Sequence, residues 1–118
     1  MPVSFLTHQD RQIFFIDYSG LKRKEDMMKT LKEAVSMAAE TEGPLRTLID
    51  ISNASGSPEW LEESKKQGKE IRDKAEKTAI IGVTGIKKIL LMGYNTVVGG
   101  RVKPFNSKDE ALAYLSKD

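Results

Sequence analysis

The sequence predicts an α/β fold: a single layered domain over residues 1–118, in the order β-β-α-β-α-β-α-β-α, with a five-stranded, mostly parallel sheet, an antiparallel first strand and four helices. Three observations predict it. Short β-prone runs alternate with helical stretches, so each helix reads as a crossover between parallel neighbours. The first two β runs are separated only by a short polar break, as in a hairpin. The central runs are apolar on both sides, as in strands covered on both faces.

The elements follow in order. Val3 to His8 is apolar and β-prone, Gln9 to Gln12 is the polar break, and Ile13 to Tyr18 is a second strand ended by Ser19-Gly20. Lys22 to Glu42 is rich in helix formers, with Met27, Leu31, Ala34, Val35 and Ala38 on one apolar face. Gly43-Pro44 stops it, and Leu45 to Ile51 is the third strand. Ser57 followed by Pro58 is an N-cap with proline at the first helical position, opening a polar helix to about Lys77. Its apolar stripe of Leu61, Ile71 and Ala75 is thin, with the small residues Ser64 and Gly68 between. Thr78 to Thr84 reads as the fourth strand, Ile86 to Val98 as the third helix closed by Gly99-Gly100, and Arg101 to Phe105 as the last strand. Ser107-Lys108-Asp109-Glu110 is a capping box that starts a terminal helix through Leu115.

Composition narrows the chemistry. Cysteine is absent, which excludes disulfides, thiolate metal sites and a cysteine nucleophile. The one histidine, His8, excludes a multi-histidine metal centre and has no acid–base partner nearby in sequence. No cofactor is expected. The N-terminus carries no basic, apolar leader, and the most apolar stretch is shorter than the roughly 20 residues of a membrane span, so a cytoplasmic location is expected. The formal charge of +2 hides an asymmetry: residues 1–76 hold twelve bases and fourteen acids, and residues 77–118 hold seven bases and three acids.

Three segments carry a family resemblance: Thr47-Leu48-Ile49-Asp50-Ile51-Ser52, then Thr78-Ala79-Ile80-Ile81-Gly82-Val83, then Val102-Lys103-Pro104-Phe105 followed by Asp109 to Leu115. In this order they resemble the SpoIIAA-like branch of the STAS and SEC14-type domains over most of the chain. The resemblance implies a small mixed sheet with flanking helices and usually no catalysis. Some members switch partners through a phosphorylatable serine at the start of the helix after the third strand. SpoIIAA-like members look suited to apolar ligands or membrane surfaces, through helices that can shift apart. Asp50-Ile51-Ser52 matches the end of the family's strand. The family's later Asp-Ser-Ser-Gly element is replaced here by Asn53-Ala54-Ser55-Gly56-Ser57-Pro58, with Ser55-Gly56 the nearest match.

The candidate sites follow from these patterns. The third helix is apolar nearly all round, whereas a helix on one sheet face needs a single stripe. Together with the second helix it offers an apolar ligand or partner surface of Trp60, Leu61, Ile86, Ile89, Leu90, Leu91, Met92 and Tyr94. From Lys77 to Lys108 there is no acidic residue, and Lys87, Lys88, Arg101 and Lys103 form a basic flank. That combination suits a lipid-like ligand, an anionic membrane periphery, an acidic protein partner or a homodimer. Aromatic interleaving for base stacking is missing, so no nucleic-acid partner is expected. The loop with Ser52, Ser55 and Ser57 is the candidate anion or phosphorylation site, because it joins a strand end to a helix N-terminus. No catalytic residue is assigned.

Overall fold

A computed structural model of the chain describes residues 2–55, 57–84 and 102–117. Strands β1 (Val3–His8) and β2 (Arg11–Asp17) form the predicted hairpin. Its loop is only Gln9 and Asp10, both at positive φ (51° and 64°), the two-residue turn whose twist matches that of paired strands. Helix α1 (Lys24–Glu40), strand β3 (Leu45–Asp50), helices α2 (Pro58–Gln67) and α3 (Lys69–Lys74), and strand β4 (Ala75–Ile81) follow. Strand β5 (Val102–Phe105) and helix α4 (Lys108–Ser116) complete the described elements. The five strands lie in the order β1-β2-β3-β4-β5, with β1 antiparallel to β2 and the rest parallel. The expected architecture is therefore present. The predicted third helix, Ile86 to Val98, lies outside the described residues.

Side chains alternate across the sheet and divide the core in two. Phe14 and Ile16, Leu45 and Ile49, and Ile80 face α1 and α3, where Met27, Ala34, Ala38 and Ile71 are buried against them. Ile13, Leu48, Ala79 and Ile81 face the other way, onto Ala111, Leu112 and Leu115 of α4. The α1 stripe expected from spacing is the buried face, with Val35 at its rim.

Several boundaries differ from the sequence reading: β2 begins at Arg11, inside the break expected over Gln9 to Gln12, and α1 is shorter by two residues at each end. The single helix expected from Pro58 to about Lys77 is two helices joined at Gly68, where a Cβ would stand 2.4 Å from the Ser64 carbonyl oxygen. Arg72 closes the joint by donating to the carbonyls of Ser64 (3.0 Å) and Lys65 (2.6 Å). Strand β4 starts at Ala75 and ends at Ile81, not Thr78 to Thr84. Its start is set by pairing with Leu45 and Arg46, and its end by the turn of Gly82 to φ +86°.

Helix α4 is held at both ends. Ser107 Oγ accepts from the Glu110 amide at 3.2 Å, as the capping box requires. At the other end, Arg46 donates to the Leu115 carbonyl (2.6 Å) and to that of Lys117, while Lys77 Nζ donates to Tyr114 O (3.1 Å) and Lys117 O (2.6 Å). Two cations from neighbouring strands thus satisfy the helix's free carbonyls and its negative pole.

Candidate functional site

The loops after β2 and β3 share one edge of the sheet, the edge where open α/β sheets bind ligands. Main-chain hydrogen bonds stitch them together: Tyr18 N to Asp50 O (2.8 Å), Gly20 N to Ser52 O (2.9 Å) and Ser55 N to Leu21 O (2.8 Å). Asp17 and Asp50 stand side by side in register. Each accepts a backbone amide two residues on, from Ser19 and Ser52, both at 2.9 Å. Ser52 is also wedged against Gly82, at which any Cβ would come within 2.4–2.6 Å of its backbone N, Cα and Oγ.

The three candidate serines have distinct positions. Ser52 is half-buried in this wedge, Ser55 is exposed, and Ser57 is the N-cap of α2. The first-turn donors of α2 are engaged from within. Pro58 has no N–H, Trp60 N donates to Ser57 Oγ (3.1 Å) and Leu61 N to Ser57 O (3.1 Å). The Glu59 carboxyl is held below the usual carboxylate range by its own backbone amide first, then by Lys24 and the Ser57 hydroxyl. We expect Ser57→Ala to destabilise the domain by about 1 kcal/mol, the usual loss for such a cap, measured by urea unfolding.

Helix α2 is loosely seated, and none of its side chains is fully buried. Trp60 packs its ring edge-on to Tyr18, with centroids 5.1 Å apart and planes at 79°. Trp60 and Ser64 are one helical turn apart on the same side. Trp60 Nε1 and Ser64 Oγ are both shut off from solvent and have no hydrogen-bond partner among the described residues. Leu61 is half-buried beside them. On the opposite side of α2, Pro58, Glu59, Glu62 and Glu63 face Lys24 and Met28 of α1 across an open groove of about 570 Å³. Under the helices, Thr47 Oγ1 on β3 is buried and likewise has no partner among the described residues.

Among the other candidates, Lys103 is exposed on β5, on the sheet face that carries α4. Ile86, Ile89, Leu90, Leu91, Met92, Tyr94, Lys87, Lys88 and Arg101 lie outside the described residues. Sequence reasoning passed over Ser64 as merely small, and Thr47 as an ordinary strand residue. Their orphaned hydroxyls become evident only when burial is known. His8, Asp50 and Ser52 are not brought together. His8 pairs with Arg11 at one end of β2, whereas Asp50 pairs with Asp17 at the other, about 20 Å away along the strand. No helix among the described residues is long and apolar enough to cross a membrane.

Comparison with known proteins agrees with this fold. An uncharacterized protein with a SpoIIAA-like fold from Shewanella loihica PV-4 superposes with a TM-score of 0.71, at 24% identity over 96% of this chain and 91% of that one. An anti-sigma-factor antagonist (STAS) domain protein from Planctomyces limnophilus superposes with a TM-score of 0.67, at 13% identity over 98% of both chains. No curated protein matches the chain. None of these matches indicates a catalytic family. A SpoIIAA-like family model matches residues 13–116, from within β2 to the end of α4, and the chain belongs to the SpoIIAA-like family.

Proposed function

We propose that this domain is a non-enzymatic binding module whose apolar surface, formed by Trp60 and Leu61 of α2 with the apolar sequence from Ile86 to Tyr94, takes up a lipid-like molecule. The observation that carries this reading is the pair of buried donors on α2 without a partner among the described residues, Trp60 Nε1 and Ser64 Oγ. An orphaned buried polar group costs about 1–3 kcal/mol, so a stable fold leaves few without a reason. An apolar molecule with an accepting oxygen would satisfy both donors and cover the half-buried Trp60 and Leu61. The loose seating of α2, with no fully buried side chain, lets it shift to admit such a guest. The same surface could instead meet an anionic membrane periphery or a protein, including a second copy of this chain.

Trp60 is the only tryptophan and therefore reports directly on its own surroundings. Titration with palmitic acid is expected to shift and saturate Trp60 fluorescence, and Leu61→Lys to weaken that binding by about tenfold, the equivalent of roughly 1.4 kcal/mol. Unchanged fluorescence, together with native mass spectrometry showing only bare protein, would refute the reading.

A second reading, a STAS-type regulatory switch through a serine after β3, is favoured by the exposure of Ser55 beside the wedged Ser52 and the capping Ser57. It expects phosphate on Ser55 in protein isolated from its native cells. Peptide mass spectrometry that finds the 52–57 loop always unmodified would count against it.

A further inference from the structure

On the face of the sheet that carries α4, three lysines lie over aromatic rings. Lys103 Nζ is 5.0 Å from the centroid of the Tyr114 ring and 5.9 Å from that of Phe105. Lys77 Nζ is 4.9 Å from the same Tyr114 ring, and Lys108 Nζ is 4.7 Å from the ring of Phe15. Phe105 and Tyr114 pack on each other at 5.1 Å. The rings are half-buried, and Lys103 and Lys108 are exposed.

These cations are gathered by ring quadrupoles and carbonyl oxygens rather than by carboxylates. Lys77 is anchored by the carbonyls of Tyr114 and Lys117. The neighbouring carboxylate, Glu76, is already paired with Arg46 at 2.7 Å. Glu110, in the first turn of α4, faces Ser107. Asp109 and Glu110 open α4 beside Lys108, yet among the described residues no carboxylate forms an ion pair with Lys77, Lys103 or Lys108. Partial burial lowers the Lys77 pKa first, and Arg46, Arg11 and Lys117 lower it further, with only Glu76 acting the other way.

We propose that this lysine–aromatic face docks an acidic polypeptide segment of a partner protein. Charge complementarity sets the partner's sign, and pre-placed ammonium groups and rings lower the ordering cost of meeting it. A membrane fits less well. Three lysines alone hold an anionic surface weakly, and the half-buried rings lie beneath them rather than projecting for insertion. Nucleic acid also fits less well, because base stacking needs open ring faces and these are covered by ammonium groups or by one another. This face shares no residue with the apolar surface of α2; Lys103 of the basic flank belongs to it, and lies on the α4 side of the sheet.

The test is fluorescence anisotropy of a fluorescein-labelled oligoglutamate peptide against the full chain, at low and at physiological salt. Binding is expected at low salt and should weaken as salt rises. The double variant Lys103→Glu/Lys108→Glu should lose about tenfold or more in affinity, while Lys66→Glu on α2 keeps it. If circular dichroism shows the double variant misfolded, Lys103→Gln/Lys108→Gln replaces it with the same expectation. Any one of four results would overturn the proposal: no peptide binding by the unmodified chain at low salt, undiminished binding by the double variant, equal loss with Lys66→Glu, or tighter binding to phosphatidylserine vesicles or single-stranded oligonucleotide than to peptide.

Discussion

Replacing Gly82 by alanine should destabilise this domain by about 3–5 kcal/mol, from left-handed strain of roughly 1–2 kcal/mol plus overpacking at the upper end of its usual range. Two independent faults meet at this position. Its φ of +86° is one that L side chains rarely adopt, and the new Cβ would fall 2.4–2.6 Å from the backbone N, Cα and Oγ of Ser52. Ser52 cannot retreat, because its amide is held by Asp50 and its carbonyl by Gly20. Such a loss is a large share of the roughly 5–15 kcal/mol that holds a typical domain folded. Thermal unfolding should fall by on the order of 10–20 °C, at about 4 °C per kcal/mol. Gly20→Ala is the control. Gly20 has a similar φ of +75° but nothing within 4 Å of its would-be Cβ, so it carries strain without collision. Equal losses for the two variants in urea unfolding would show that the wedge between Ser52 and Gly82 is not what tightens this edge of the sheet.

The second large effect is expected at Arg46. Its side chain is 7% exposed and ties three parts of the fold together: β3, the last carbonyls of α4 and Glu76 on β4. Arg46→Met keeps the length of the stem but removes every donor. The Leu115 carbonyl then loses its buried partner, and Glu76 loses its counter-charge. Breaking a buried ion pair costs about 3–5 kcal/mol when the remaining charge stays trapped. Glu76 is 43% exposed and can return to water, which lowers the expectation to about 2–4 kcal/mol. Glu76→Gln should cost about 1 kcal/mol or less, because it leaves the carbonyl contacts intact. Hydrogen exchange should find α4 amides opening faster in Arg46→Met and unchanged in Glu76→Gln. If both variants lose the same small amount, Arg46 does not act through α4.

Features governed by neighbours along the chain are legible in the sequence itself. The hairpin is one, because the polar break from Gln9 to Gln12 separates two β-prone runs, although the turn itself is only Gln9 and Asp10. The α1 face is another, because Met27, Leu31, Ala34 and Ala38 recur at the helical period. Ser57 and Ser107 declare their caps through the residues that follow them. Features governed by contacts across the sheet are not legible there. The break at Gly68 depends on how close the Ser64 carbonyl comes, and the start of β4 depends on where Leu45 stands. The basic window after Lys77 is visible as composition. That Lys77 and Lys103 converge on one Tyr114 ring is not, because it follows from the parallel pairing of β4 with β5 and the return of α4 over them.

Sequence alone determined the class of this protein: the alternation of strands and helices, the absence of cysteine chemistry, and the separation of an acidic first part from a basic remainder. These rest on local backbone preferences and on side-chain chemistry that needs no partner. Tertiary structure alone decided which polar groups are satisfied. It put His8 and Asp50 beside opposite ends of β2, left the indole N–H of Trp60 and the hydroxyls of Ser64 and Thr47 buried without partners among the described residues, and laid lysines on rings. The physical reason is that burial and hydrogen bonding join residues far apart in the chain, and no local pattern encodes which of them will meet.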